Sequence, residues 1–401
     1  METPKFNPVK EAPGSISSIA GLCSALDISQ SELDEALALP VEERYKKGEV
    51  PKKDGSMRIV NNPHYLVRKI QRRINKRIFS DSNVISWPDH IFGSIPNDDL
   101  SDSVAADKDY VNCARQHCGA KSVLTLDIRD FFDNIHRDRV FGIFFKFLKY
   151  SEDVSNVLAD ICCKGGAIAQ GALTSSYIAT LCLHETEGDL VRRLRYKNLT
   201  YTRFVDDITI SSRVANYDFK YALGLTESML SEAGLPINGQ KTKIQYTSMK
   251  PLIVHGLRVD FDQPRLPPEE PRKIRAAVKN LELLAAGPGY RASHAYRKDF
   301  NRCMGRVNKL GRVGHSQHSI LLNRLRKILP LPSHMDIERV ERLIARLEKD
   351  VAKPNYSETY WFRKRYYAAS ERIGILKRSF PKKAEEFRGK LREIRPSSQY
   401  E

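Results

Sequence analysis

The stretch Tyr201-Thr-Arg-Phe-Val-Asp-Asp-Ile-Thr-Ile-Ser211 decides how the rest of the chain is interpreted. Apolar and β-branched residues lead up to Asp206 and Asp207 and resume directly after them, which predicts two short strands joined by a tight acidic turn. Carboxylates on neighbouring residues repel each other, and the pair becomes favourable only when a cation lies between them. Because solvated Asp-Asp turns are common, this stretch is a weak signal by itself.

A second strand that ends in an acidic residue lies upstream, in Ser122-Val-Leu-Thr-Leu-Asp127-Ile-Arg-Asp-Phe-Phe132. Asp127 ends the β-rich run, and Asp130 and two aromatic residues follow it. Two strands that each end in carboxylates can supply oxygen ligands to a pair of Mg²⁺ ions roughly 3.5–4 Å apart. Such ions suit nucleotidyl transfer, because one lowers the pKa of the attacking 3′-hydroxyl and the other neutralises the leaving pyrophosphate.

With both stretches in view, the chain resembles the reverse transcriptases, and more narrowly the bacterial retron-type group, over residues 45–259. Asp127 matches the first palm aspartate of that family, and Phe204-Val-Asp-Asp207 matches its Tyr/Phe-x-Asp-Asp box. The resemblance implies an α+β right-hand polymerase with fingers, a palm of antiparallel sheet and helices, and a basic helical thumb. It also implies that Asp127, Asp206 and Asp207 are catalytic and bind Mg²⁺.

The resemblance further assigns cations that would meet the phosphates of an incoming nucleotide. Lys53 and Arg58 lie in a basic hairpin predicted to turn at Asp54-Gly55. Arg58 is expected to contact the triphosphate, and Lys53 is the next candidate. Lys241 matches a residue expected to protonate or neutralise the leaving pyrophosphate, with a plain surface lysine as the alternative.

Three further positions match the part of the family's site that holds the sugar and base. Phe132 corresponds to the residue under the sugar, where a bulky ring excludes a 2′-hydroxyl and so favours deoxynucleotides. Gln170 is expected to hydrogen-bond a base pair or sugar, and Gly171 is expected to let the backbone approach it closely. An ordinary core phenylalanine is the alternative for Phe132, and Phe131 is expected to be one.

The chain departs from the retron pattern in several places. Cys113 stands where the family has Asn, His255 stands where it has Thr, and Ala169, Leu173 and Ser176 replace prolines. These differences leave another defence-associated reverse transcriptase group open. A group II intron-like enzyme is less favoured, because no Cys/His cluster of the endonuclease kind follows the thumb.

The positive charge is concentrated in one part of the chain. Lys and Arg exceed Asp and Glu by 66 − 49 = 17 overall, and residues 264–401 contain 32 basic and 15 acidic residues. The preceding 263 residues contain 34 of each kind. This distribution predicts a C-terminal region that binds a polyanion, with a solvated basic face as the alternative.

These patterns divide the chain into an arm with a small helical cap (1–44), fingers (45–120), palm with inserted fingers helices (121–263) and thumb (264–401). Within the thumb, helices are predicted over 272–284, 318–329, 337–350, 360–377 and 381–394. Cationic residues lie among aromatic residues in the fourth of these helices. Cations can bind the phosphates of RNA, and rings can stack on its unpaired bases. The predicted nucleic-acid contacts are Trp361, Arg363, Lys364, Arg365 and Tyr366.

Two other segments carry weaker predictions. Residues 17–39 predict two short amphipathic helices broken near Asp27, which resemble a helix-turn-helix but are better interpreted as a helical cap. A helix-turn-helix DNA-binding protein is the alternative function of a different class, and it leaves the three carboxylates unexplained. Residues 87–107 are acidic and predicted to be a loop.

The remaining expectations concern surroundings and partners. Seven cysteines without a Cys-x-x-Cys motif predict reduced thiols in the cytoplasm, and no apolar run is long enough to cross a membrane. The family resemblance implies a structured non-coding RNA as template, dNTPs, a DNA product and a toxin-like effector protein in anti-phage defence. The template sequence, the priming group and the oligomeric state follow from no pattern in the chain.

Overall fold

The computed structural model describes residues 5–51, 55–97, 107–354 and 356–396. It divides the chain into two compact units, Met1–Arg265 and Leu266–Glu401. The strands of the described residues all lie in the first unit, and the second is helical. The α+β class is therefore confirmed, whereas the division into arm, fingers, palm and thumb stays a prediction. Within the described ranges, no helix has both the length and the apolar character that crossing a bilayer requires.

The strands of the first unit form one five-stranded sheet and several two-stranded sheets. In chain order they are β1 (Val9–Lys10), β2 (Tyr45–Pro51), β3 (Met57–Pro63), β4 (Ile85–Ser86), β5 (Ile91–Phe92), β6 (Ser122–Asp127), β7 (Cys163–Lys164), β8 (Ala167–Ile168), β9 (Thr200–Phe204), β10 (Asp207–Ser212), β11 (Lys243–Tyr246), β12 (Ile253–Val254) and β13 (Leu257–Arg258).

Helices of the first unit pack around this sheet. In chain order they are α1 (Ile19–Leu26), α2 (Gln30–Ala38), α3 (Val41–Arg44), α4 (Tyr65–Ile74), α5 (Tyr110–Arg115), α6 (Arg137–Gly142), α7 (Glu152–Cys162), α8 (Ser175–Leu181), α9 (Glu187–Tyr196) and α10 (Lys220–Glu232). Helix α4 continues into a π-helical turn, Asn75–Phe79, and α6 continues into another, Ile143–Phe147.

The five-stranded sheet has the spatial order β11-β6-β10-β9-β5. Its first four strands pair antiparallel, as predicted for the palm, and β5 joins parallel to β9 at the edge. The prediction of a loop over 87–107 is therefore wrong at β5. Ile91 and Phe92 are only two apolar residues, too few to show strand periodicity, and their pairing with β9 makes them a strand.

One face of this sheet forms the core of the first unit. Leu124 and Leu126 of β6 lie opposite Ile210 and Ile208 of β10, and all four are buried in one cluster with residues of α1, α2, α4 and α7. Burying these apolar side chains is what stabilises the unit, since each is worth about 1.5–3 kcal/mol. The sheet end that carries the acidic residues is thereby fixed on a rigid base.

The first two helices belong to this core, as the helical-cap interpretation predicts. Asp27 ends α1 in a left-handed conformation, and Ser29 begins α2 with a capping box. The buried face of α2 contains Leu33, and its first turn pairs Glu32 with Lys69 of α4. An acidic helix packed in this way is poorly suited to DNA phosphates, which removes the support for a helix-turn-helix protein.

The second unit contains two small helical cores. Its helices are α11 (Glu269–Ala285), α12 (His294–Arg312), α13 (Gln317–Lys327), α14 (His334–Val351), α15 (Tyr360–Leu376) and α16 (Pro381–Glu393). One core is formed by α11, α12 and α13 and the other by α14, α15 and α16. The predicted helices are all present, but the prediction omits α12, whose buried positions are Tyr296, Phe300, Cys303, Val307 and Leu310.

Candidate active site

The antiparallel ladder between β6 and β10 brings the two acidic stretches together. Asp127 ends β6, Asp207 begins β10, and the two residues are direct partners in the register. Asp206 lies in the turn between β9 and β10, and its carbonyl oxygen accepts a 3.2 Å hydrogen bond from the Ile128 amide. The backbone therefore brings the three predicted catalytic aspartates to one end of the sheet.

The turn that carries Asp206 has a strained backbone. Val205 has φ = +59°, a left-handed conformation that a β-branched residue rarely adopts. Such conformations cost about 1–3 kcal/mol and persist only where the surroundings determine them. Here Arg203 Nη1 donates a 3.2 Å hydrogen bond to the Val205 carbonyl. Gly93 packs so close that a Cβ at this position would lie 3.0 Å from Val205 Cγ2.

A buried ion pair anchors the strand that leads into this turn. Arg203 Nε and Nη2 donate to the two carboxylate oxygens of Glu187 at 2.7 and 2.6 Å, and the Tyr201 hydroxyl donates to the same carboxylate. Burial alone raises the pKa of Glu187, but the charge and hydrogen bonds of Arg203 outweigh it and hold that pKa below its ordinary value. The sequence interpretation missed this pair, although an arginine among the apolar residues of a strand was a visible signal.

Burial and neighbouring carboxylates oppose the ionisation of Asp206 and Asp207. Burial raises the pKa of Asp207 to about 6, and the charges of Asp206 and Asp127 add to this shift. Burial and Asp127 also raise the pKa of Asp206, while the positive charges of Lys241 and Arg58 lower it. Oxygen ligands crowded in this way are the donor set that a divalent cation requires, because the cation removes the repulsion. The three carboxylates therefore supply the donor chemistry of a metal site.

The Asp127 carboxylate has two partners within the protein. Lys241 Nζ donates to its two oxygens at 2.9 and 3.0 Å, and Asn238 Nδ2 donates to one of them at 3.2 Å. The hydrogen bond to Asp127 raises the pKa of Lys241. In the described part of the chain, no three Asp, Glu, His or Cys side chains stand at metal-binding spacing. Asn238 was not predicted, although it lies in the same box as Lys241.

The structure describes two of the residues predicted to contact the nucleotide, Arg58 and Phe132, but not Lys53. Arg58 is exposed on β3 and is close enough for its charge to lower the pKa of Asp206. Lys53 lies outside the described residues. Phe132 is half-buried beside Phe131, whose ring lies 6.0 Å away and is buried in the core as expected. Their contacts with a nucleotide stay predictions.

Gly171 packs closely against strand β3 of the same chain. It has φ = +105°, and a Cβ there would lie 2.6 Å from Val60 Cγ1 and 2.9 Å from the Asn61 carbonyl oxygen. The carbonyl of Gln170 accepts a 2.7 Å hydrogen bond from the Asn61 amide. The close approach that glycine permits is thus made by strand β3, and contacts of Gln170 and Gly171 with a base pair or sugar stay predictions.

A chain of buried polar groups leads from the sheet to Asp207. His117 contacts the hydroxyls of Ser211 and Thr202 at 2.7 and 2.8 Å, and burial lowers the pKa of His117 to about 3. The Cys113 thiol lies 3.3 Å from the Thr202 hydroxyl and 3.3 Å from His255 Nε2.

His255 Nδ1 in turn lies 3.9 Å from a carboxylate oxygen of Asp207. Cys113 and His255 were noted only as departures from the retron pattern. The structure shows that these two departures contact each other, so they are one coupled feature beside the acidic turn.

The predicted nucleic-acid contacts of α15 point in different directions, because successive helical residues are about 100° apart. Arg365 pairs with the buried Asp350, and Tyr366 packs half-buried against the core. Trp361 is 53% exposed, and Lys364 Nζ lies 5.1 Å from the centre of its ring. Tyr367 is also exposed, at 55%, but lies about 120° around the helix from Trp361. The five residues are therefore not one surface.

Comparisons with known proteins agree with this geometry. Residues 50–270 match the family described as reverse transcriptase (RNA-dependent DNA polymerase). The chain is 48% identical over 396 residues to the Retron Ec48 reverse transcriptase of Escherichia coli, covering 98% of this chain and 96% of the relative. It is 30% identical over 346 residues to the Retron Se72 reverse transcriptase of Salmonella heidelberg (strain 579083-10), covering 85% and 86%.

Proposed function

This chain belongs to the reverse transcriptase family as a bacterial retron-type member, and we propose that it copies a dedicated structured non-coding RNA into DNA. Membership makes it an RNA-directed DNA polymerase with the right-hand α+β fold. We propose that Asp127, Asp206 and Asp207 are its catalytic residues. The observation that carries this assignment is the register of β6 and β10, which pairs Asp127 with Asp207 beside the turn that contains Asp206.

Members of this family use divalent metal ions, and we propose Mg²⁺, bound by the three aspartates. When bound, the ions activate the 3′-hydroxyl and stabilise the charge on the leaving pyrophosphate. We assign Lys241 to supply a proton or positive charge to that pyrophosphate, supported by its exposed ammonium group at 2.9 Å from the Asp127 carboxylate. Asn238 holds the same carboxylate in position.

We assign recognition of the dNTP to five residues that the family resemblance identifies. Arg58 and Lys53 of the β2–β3 hairpin bind the triphosphate, because guanidinium and ammonium groups suit phosphate oxygens. Phe132 lies under the sugar and excludes ribonucleotides. Gln170 and Gly171 contact the base pair or sugar from a turn that β3 supports.

The template and partners are proposed on chemical grounds. The second unit carries the net positive charge of the chain, which suits a structured RNA with many phosphates. Retron-type enzymes act in anti-phage defence with a toxin-like effector, and we propose the same role here. All seven cysteines are free thiols, as expected of a protein in the reducing cytoplasm.

The function is tested with purified protein on a primed RNA template. The variant Asp206→Asn with Asp207→Asn is expected to lose dNTP incorporation, while it melts no lower than the parent and still binds RNA. Asp189→Asn with Asp218→Asn is a matched control, because it removes two exposed carboxylates that lie in α9 and before α10. Full activity of the first variant would exclude the proposed site.

The template is tested by sequencing the nucleic acid that copurifies with the protein. A single short RNA joined to DNA is the expected result, because a dedicated template yields one product. A heterogeneous set of cellular RNAs without attached DNA would contradict the non-coding RNA proposal but leave the polymerase assignment intact.

A further inference from the structure

A single carboxylate in the second unit is surrounded by arginines. Asp336, in the first turn of α14, is 3% exposed. Its carboxylate accepts hydrogen bonds from the Ser333 amide at 2.9 Å and from Arg297 Nη2 at 3.1 Å. The guanidinium groups of Arg339 and Arg372 come within 3.8 and 3.7 Å of it, which is too far for a hydrogen bond.

Two more arginines lie beside these. Arg378 Nη1 donates a 2.6 Å hydrogen bond to the Pro330 carbonyl, and Arg291 donates to the Leu329 carbonyl at 2.7 and 3.0 Å. In the ranges that the structure describes, neither arginine pairs with a carboxylate. The five residues Arg291, Arg297, Arg339, Arg372 and Arg378 are called the arginine cluster below.

The charges of the arginine cluster are not balanced. Three guanidinium groups approach the Asp336 carboxylate, and two more lie nearby on backbone carbonyls. Burial together with the cations at Arg297 and Arg291 lowers the pKa of Arg378. Arg297 Nε and Arg372 Nη1 are shielded from solvent, and neither has a hydrogen-bond partner among the described residues. An unpaired buried donor is unfavourable, and more so when it is charged. A bound anion would offset the excess of positive charge.

Different parts of the unit build the arginine cluster. Arg297 lies on α12, Arg339 on α14 and Arg372 on α15, while Arg291 and Arg378 bind the segment between α13 and α14. A solvated basic face of one helix would not require this convergence. The cluster is therefore a feature of the tertiary structure that the positive charge of the region does not by itself explain.

We propose that the arginine cluster binds phosphate groups in the backbone of a nucleic-acid strand. Guanidinium groups suit this ligand because they present planar pairs of N–H donors to phosphate oxygens and stay protonated when crowded. The cluster lies within residues 264–401, which carry the whole positive excess of the chain. The inference rests on the proposed function, since nucleic acid must be held by the second unit.

The test compares two variants of the full-length protein that each lose two positive charges. The first is Arg372→Gln with Arg378→Gln, which removes two members of the arginine cluster. The control is Lys390→Gln with Arg392→Gln, which removes two half-exposed cations of α16 in the same unit. Affinity for a labelled single-stranded RNA is measured by fluorescence anisotropy from about 50 to 200 mM salt.

The first variant is expected to bind RNA at least about tenfold more weakly at low salt, because two phosphate contacts and their released counterions are lost. The slope of log affinity against log salt should become shallower by about 1.4, since each contact on a single strand contributes about 0.7. The control should keep the parental slope. Equal losses in both variants, or no loss in the first, would overturn the proposal.

A third variant distinguishes loss of RNA binding from loss of the folded structure. Arg339→Gln with Arg372→Gln changes two arginines whose ion pairs with Asp336 are longer than a hydrogen bond, so the Arg297 and Ser333 contacts remain. It should reproduce the weaker binding and shallower slope with a parental melting temperature. Parental RNA binding by this correctly folded variant would refute the site.

Inorganic phosphate distinguishes a free anion from the nucleic-acid backbone. If phosphate raises the melting temperature of the parent but not of the variants, while RNA affinity is the same in all, the cluster holds a free oxyanion and the proposal is wrong. The proposed function fails separately, through absence of dNTP incorporation by the parent protein, and the binding comparison does not depend on that assay.

Discussion

At the scale of single residues, the acidic site is less stable without a cation than with one. The pKa of Asp207 is raised to about 6 by burial and by its two acidic neighbours. In the unfolded chain that pKa returns to the lower value of an ordinary aspartate. Because the folded-state pKa is the higher of the two, Asp207 favours folding at low pH and opposes it as the pH rises through about 6.

Replacing this carboxylate should therefore stabilise the protein while it abolishes activity. In EDTA at pH 7.5, Asp207→Asn is expected to melt at a higher temperature than the parent, because the charge repulsion is gone. The difference should shrink as the pH falls below about 6, where Asp207 is protonated in the folded parent. Thermal unfolding over this pH range measures it. A variant less stable than the parent at pH 7.5 would contradict the repulsion.

Two adjacent phenylalanines allow a matched test of sugar selection. Phe132→Ala should raise incorporation of rNTPs relative to dNTPs, because removing the half-buried ring opens space for a 2′-hydroxyl. Phe131→Ala is the control: its ring is buried, so it should lose about 3–5 kcal/mol of stability without changing that ratio. Parallel single-nucleotide incorporation assays give both ratios. If the ratio of the Phe132 variant is unchanged, the ring is part of the core and the selection lies elsewhere.

His255 lies beside Asp207, with Nδ1 3.9 Å from a carboxylate oxygen. It shares a turn with Gly256, and both have positive φ, a conformation that Asn-Gly adopts readily. His255→Asn should therefore keep the turn and the melting temperature but slow dNTP incorporation about tenfold, as expected if Asp207 is the metal ligand that we propose. The Mg²⁺ concentration for half-maximal activity should rise with it. Parental kinetics in this variant would show that the 3.9 Å contact has no role.

At the scale of elements, the strained turn depends on what anchors β9. Val205 holds a left-handed backbone beside Asp206, and the strand before it is tied to α9 by the buried Arg203–Glu187 pair. A buried ion pair contributes little net stability compared with apolar residues of the same volume, but breaking it leaves an uncompensated charge. The pair is thus better explained as a device that fixes the strand and its turn.

This explanation predicts strong coupling between the two residues. Glu187→Gln should lower the free energy of unfolding by about 3–5 kcal/mol, because Arg203 keeps its buried charge without a counterion. Glu187→Leu with Arg203→Met should cost less than that single change, and it should still reduce activity because the turn loses its support. Urea unfolding of the single and double variants gives the coupling energy. Additive losses would contradict a shared role.

At the scale of the whole molecule, the boundary between the two units and the start of the positively charged region lie at nearly the same residue. The structure separates the units between Arg265 and Leu266, and the positive excess begins with the proline-rich segment at residue 264. The first unit has its own core, and the second has two. Chemistry and RNA binding are therefore expected to be separable.

A fragment of residues 264–401 should fold and bind RNA without the first unit. Its helices bury their own cores, and its excess of 32 basic over 15 acidic residues supplies the attraction. Circular dichroism should show a helical fold, and RNA affinity should fall with salt about as steeply as in the full chain. A fragment of residues 1–263, with 34 residues of each sign, is the comparison. Steeper salt dependence in that fragment would contradict the assignment.

Much of the fold follows from local patterns that the chain displays directly. The strand–turn–strand around Asp206 and the helices of the second unit could be predicted because apolar periodicity is a short-range property. Helix α12 was not predicted, although its buried residues Tyr296, Phe300, Cys303, Val307 and Leu310 recur at helical intervals of three and four. Strand β5 was missed because two residues cannot show a period at all.

The sequence by itself determined the family, the three acidic residues and the segregation of charge, because each depends on residue identity or on neighbours along the chain. Only the tertiary structure decided which groups meet across long separations: Lys241 with Asp127, 114 residues apart, and Arg297 with Asp336, 39 residues apart. Those contacts depend on how whole elements pack, and packing is set by the complete core. Local sequence patterns therefore predict which residues belong to a site, whereas the tertiary structure determines which of them contact each other.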